Sequence, residues 1–103
     1  MMTREVKRRE REEIFEAVRS VIHDWDPYDL IAGGAPDDEF DSEISAVIRQ
    51  LERIRSSCDA CHVISRVFSS SFEPELFQIE HCQSVGERLY EVLAERGIID
   101  EQV

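Results

Sequence analysis

Apolar residues return at helical spacing in four separate stretches of this chain, and no stretch alternates with period two. The first stripe is Ile14, Phe15, Val18, Val21, Ile22 and Trp25, which with Thr3 as a possible N-cap predicts a helix from about residue 3 to 23. The second, Phe40, Ile44, Val47, Ile48, Leu51 and Ile54, predicts a helix over about 37–55. Ser57 offers a cap for a shorter third helix that turns Cys61, Ile64, Val67 and Phe68 inward. A fourth helix, about 74–96, buries Phe77, Cys82, Val85, Leu89, Val92 and Leu93, and Gly97 followed by Ile98 suits a Schellman ending. Pro27, Pro36 and Pro74 each fit a first helical turn, where a missing N–H costs nothing. The expected fold is all-α, a small four-helix bundle forming one domain over residues 1–103.

One connection is long. Residues 24–36, DWDPYDLIAGGAP, separate the first two helices, whereas links in bundles usually take about 2–8 residues. Asp26 is placed to cap a single turn over Pro27 to Leu30, and Gly33 and Gly34 let the chain bend. Trp25, Tyr28, Leu30 and Ile31 in so long a loop imply that it packs down on the bundle.

Charge is distributed unevenly. Residues 1–11 carry five bases and two acids, and the remainder of the 103-residue chain carries seven bases and twenty-one acids. An acidic body repels nucleic acid and anionic membranes, so neither is expected as a partner. The basic start sits where a helix dipole disfavours positive charge, so residues 1–9 are expected to fray. No continuous apolar stretch follows that basic start, so neither a signal peptide nor a membrane span is read, and the expected address is the cytoplasm with reduced thiols.

The segment with the most chemistry is Cys58-Asp59-Ala60-Cys61-His62, the C-x-x-C-H spacing that attaches c-type haem. Haem is a remote third reading, because export is not indicated and a second axial ligand would have to come from His23 or His81. Zinc is the alternative: folding back around Phe72 would bring Cys58, Cys61 and Cys82 level, with His81 or His62 completing a Cys3His set. The plainer reading makes Cys61 and Cys82 small buried hydrophobes, leaves His62 and His81 facing solvent, and expects no cofactor.

Other chemistries fail on spacing. Counted from Asp24, an EF-hand needs Gly at position 6 and Glu at position 12, where the chain has Asp29 and Ala35. AGGAP lacks the spacing and the Lys-Ser/Thr ending of a phosphate loop. His23 beside Asp24 has no identifiable nucleophile to serve, and Ser69 to Ser71 read as a turn between helices. No enzyme is expected.

The run VIHDWDPYDLIAGGAPDDEFDSEI, residues 21–44, resembles the YugE-like family of small bacterial proteins, in which a helix ending in WDP is followed by a GAP loop, acids and an aromatic. VFSSSF and the cysteine of EHC are similar as well, so the resemblance spans roughly residues 14–96. It implies a compact helical domain in the bacterial cytoplasm and implies no activity or site residues. The Cys58–His62 motif and the arginine-rich start depart from that pattern.

The function expected is therefore that of a protein-interaction or regulatory module, of the immunity or antitoxin-like kind. From Asp24 to Glu43 the chain has eight acids, no Lys or Arg, and interleaved aromatics. Such a surface suits a basic protein partner, which it would steer electrostatically and anchor through aromatic rings. The residues expected to bind it are Asp26, Tyr28, Asp29, Asp37, Asp38 and Asp41.

Overall fold

A computed structural model describes residues 4–36 and 38–99, with side chains from residue 10 onward. Among these residues there are four α-helices and no strand: α1 (Arg4–Trp25), α2 (Asp41–Ile48), α3 (Ser57–Ser71) and α4 (Gln83–Glu95). α1 packs on α2 and α4, and α3 packs on α2 and α4, so the helices close a ring around one core. The expected four-helix bundle is the fold. Of residues 1–9, which are expected to fray, 1–3 lie outside the described residues and 4–9 form the start of α1.

The apolar stripes meet inside this ring. Val18, Ile22, Phe40, Ile44, Val47, Ile64, Phe68, Leu89 and Leu93 are fully buried, while Ile14, Phe15, Trp25 and Leu51 pack against the core from its margins. Burying a side chain of this size removes about 1.5–3 kcal/mol of exposed apolar surface cost, which makes the shared interior the main force ordering the helices.

Helix ends follow local chemistry where local chemistry is strong. Ser56, not Ser57, caps α3: its hydroxyl accepts the Asp59 N–H at 3.1 Å, while the Asp59 carboxylate accepts the Arg55 N–H at 3.0 Å. This reciprocal pair satisfies two N–H groups around the helix start that have no helical partner. At the other extreme, α4 ends as expected. Gly97 adopts φ +70°, its N–H donates to the Ala94 carbonyl at 3.0 Å, and the Ile98 N–H donates to that of Leu93 at 2.9 Å. These are the two bonds of a Schellman ending.

Three expectations are corrected. The second helix is shorter than 37–55, because the chain turns at Arg49 and Gln50 into a short 3-10 segment, Leu51–Arg53, before Ile54 re-enters the core. Ser69 to Ser71 form the last turn of α3 instead of a link. The fourth helix does not begin at Pro74; that stretch is two 3-10 turns, Pro74–Leu76 and Ile79–Cys82, separated by extended backbone at Gln78. The cause lies across the bundle, where the Phe77 carbonyl accepts the Ser65 hydroxyl at 2.6 Å and, more weakly, the Ser69 hydroxyl at 3.4 Å. A carbonyl held by α3 in this way has no need of a helical N–H.

Candidate functional site

The long first loop is organised by one carboxylate. The Asp26 N–H closes the end of α1 on the Ile22 carbonyl at 2.8 Å, and Asp26 itself turns into the left-handed region at φ 46°. Its two carboxylate oxygens then accept the N–H groups of Ile31 and Ala32 at 2.8 and 2.9 Å. The chain doubles back over its own carboxylate, and further turn bonds join Gly33 to Asp29 and Ala35 to Leu30. The expected turn does form, as a 3-10 segment, Pro27–Asp29, although the Asp26 side chain bonds beyond it and does not cap it.

That arrangement forces Tyr28 outward. Tyr28 has φ 64° and Asp29 φ 53°, so three residues of the loop that carry side chains are left-handed. Aspartate tolerates this geometry, but a bulky aromatic does so only when its surroundings insist, at about 1–3 kcal/mol. The Tyr28 ring lies 5.6 Å from that of Phe72 and 5.8 Å from that of Phe77, and its hydroxyl donates to Glu73 Oε1 at 2.9 Å. Partial desolvation, then the hydrogen bond to Glu73, holds the phenol above its ordinary range. Tyr28 nonetheless stays 44 % exposed.

These contacts join two segments distant in sequence. Residues 24–48 contain no Lys or Arg, and neither do residues 67–87. The second segment adds Glu73, Glu75 and Glu80, all exposed, and the exposed apolar side chains of Leu76 (50 %) and Ile79 (40 %). Beside them lies a shallow groove of about 550 Å³ lined by Ser65, Ser69, Pro74, Glu75, Ile79 and Glu80. Beneath it Trp25, Phe40, Phe68, Phe72 and Phe77 stack edge and face, with neighbouring centroids between 4.9 and 6.3 Å, which is the range of favourable aromatic pairs. An acidic, apolar surface is thus mounted on a rigid aromatic base.

The expected binding residues divide. Tyr28, Asp29 and Asp38 are exposed. Asp41 is half-buried in the first turn of α2, and Asp26 is occupied within the loop it shapes. Asp37 lies outside the described residues. Glu75, Leu76 and Ile79 fall inside the helix expected over about 74–96 and Glu73 just before it, so the sequence singles out none of them. A signal was present: Leu76 is nine residues before Val85, which on a continuous helix puts it about half a turn out of phase with the buried stripe.

The cysteine and histidine cluster does not assemble. Among the described residues no group of three or more His, Cys, Asp or Glu side chains is placed to hold a metal. Cys61 is buried with its thiol 3.5 Å from the Gln83 carbonyl, and Cys82 is buried with its thiol 3.7 Å from the Phe77 carbonyl, while Cys58, His62 and His81 are exposed. Burial raises the Cys61 thiol and pushes Cys82 up to about 11. The reason for glycine at position 86, against Cys61, is steric. A Cβ on Gly86 of α4 would lie 2.4 Å from the Cys61 sulfur and 2.7 Å from its Cα and N, so α3 and α4 touch nearly backbone to backbone. His23 Nε2 and Gln50 Oε1 are buried without a hydrogen-bond partner among the described residues.

Fold and surface together define a small helical bundle that carries one acidic, aromatic end. The chain belongs to the family described as Domain of unknown function (DUF1871), which matches residues 17–97 and so takes in all of that end. No curated protein and no solved structure matches the chain. No described helix is long and apolar enough to cross a membrane.

Proposed function

We propose that this chain is a protein-interaction module that binds a basic partner through the surface formed by residues 24–31 and 72–80. The observation that carries the reading is the joining of two base-free segments through Tyr28, which touches Phe72, Phe77 and Glu73 while keeping much of its ring in solvent. Acids around an exposed aromatic raise the rate of encounter with a cationic surface, and the ring with Leu76 and Ile79 supplies the desolvated centre that most binding energy comes from. Backbone strain at Tyr28 fits a residue held in position for contact, since such strain gathers at ligand clamps. The YugE-like resemblance of residues 21–44 adds only a bacterial cytoplasmic setting to this reading, in which an immunity or antitoxin-like inhibitor is the role that fits an acidic surface best.

The test is affinity capture from the native cell with the unsubstituted chain and with a variant carrying Asp29→Asn, Glu75→Gln and Glu80→Gln. A basic protein retained by the first, released by raised salt and lost by the second is the expected result. Equal retention by both chains would remove this surface as the interface.

A further inference from the structure

Cys58 and Cys61 differ in everything but position. Ser56 caps α3, so Cys58 occupies its second helical residue and is exposed, while Cys61, one turn on, is buried against α4. Residues i and i+3 of a helix have Cα atoms about 5 Å apart, inside the range of about 4.4–6.8 Å that a disulfide spans. His62 completes the group. Its Nδ1 lies 2.8 Å from the Cys58 carbonyl and 3.7 Å from the Cys58 sulfur. A carbonyl oxygen only accepts, so in this contact Nδ1 carries the proton and its N–H is the donor beside that sulfur.

We infer that Cys58 and Cys61 form a dithiol that exchanges with small-molecule disulfides, with Cys58 as the attacking thiol, Cys61 as the resolving thiol and His62 as the positioning group. Cys58 loses its proton to water and its thiolate attacks one sulfur of a disulfide RSSR, forming Cys58–S–S–R and releasing RS⁻, which takes up a proton. Cys61 then loses its proton and attacks the Cys58 sulfur, forming the Cys58–Cys61 bond and releasing the second RS⁻. Two protein thiols are oxidised and RSSR is reduced to two RSH. The Cys61 thiol must leave the Gln83 carbonyl for this, a contact that at 3.5 Å is weak. Cys82 takes no part, because it is fully buried with its thiol on the Phe77 carbonyl.

The test uses the reduced full chain in glutathione buffers of graded ratio, quenched with acid and alkylated with N-ethylmaleimide, followed by intact mass and tryptic mapping. Cleavage at Arg55 and Arg66 isolates one peptide that contains Cys58 and Cys61 but not Cys82. The expected product is that peptide lighter by a pair of hydrogens, with Cys82 alkylated. Cys61→Ser should accumulate glutathione on Cys58. His62→Gln should slow the first step about threefold without changing the product, since the N–H donor beside the attacking sulfur is lost. Glutathione persisting on Cys58 in the unsubstituted chain, a bridge involving Cys82, or no thiol loss at any ratio would overturn the dithiol. An unchanged rate in His62→Gln would overturn the part given to the imidazole.

Discussion

At the contact between α3 and α4, Gly86 lets the Cys61 backbone approach so closely that no Cβ fits between them. At the loop end of the same bundle, Tyr28 is held in a left-handed conformation and still stays exposed. One region removes bulk to reach close packing, and the other accepts strain to keep bulk outside. A chain whose only task was to stay folded would gain from the first arrangement and lose from the second. The contrast separates the residues that hold the bundle together from those that the proposed interaction would use.

The most damaging change should be Gly86→Val. Its Cβ would meet backbone atoms that cannot rotate away, so stability should fall by about 3 kcal/mol, at the upper end for overpacking, in urea denaturation with an unchanged m-value. A comparable factor should appear in thiol chemistry. Cys82, held up to about 11 by burial, should be alkylated about a hundredfold more slowly at neutral pH than the exposed Cys58, as followed by mass spectrometry of timed samples. The sign follows from the raised value: stability gained by keeping that thiol neutral is fully present below the ordinary thiol range and is lost as pH rises through about 11. Equal alkylation rates would mean that the packed side of the molecule opens as readily as its surface.

At the loop end the effects should be smaller. Asp26→Ala leaves the Ile31 and Ala32 N–H groups without their charged acceptor and should cost about 2 kcal/mol in thermal or urea unfolding. The variant with Asp29→Asn, Glu75→Gln and Glu80→Gln changes only exposed side chains and should stay within about 1 kcal/mol of the unsubstituted chain. A large loss there would make those acids part of the scaffold and erase the contrast.

The sequence was most readable where local chemistry decides. α1 and α3 were placed within two residues at most ends, and the Gly97 ending was read outright, because caps and stripes act within a few residues. What could not be read came from distant residues. Pro74 looked like a helix start, and only Ser65 and Ser69 on α3, by taking the Phe77 carbonyl, make it a pair of short turns. Gly86 looked like an ordinary interior glycine until Cys61 was seen against it. Half of the proposed surface was legible for the same reason: Tyr28 and Asp29 stand in one base-free run, whereas Glu73, Glu75, Leu76 and Ile79 join it only through tertiary contact.

That joining is the central claim, and amide chemical-shift mapping tests it most directly. The 15N-labelled chain would be titrated at low salt with an arginine-rich peptide carrying one aromatic residue. The account predicts that residues 26–31 and 72–80 shift together, saturate at one common concentration, and return toward their free positions as salt is raised. Shifts confined to one of the two segments, or spread evenly along the outer faces of α1 and α3, would contradict it.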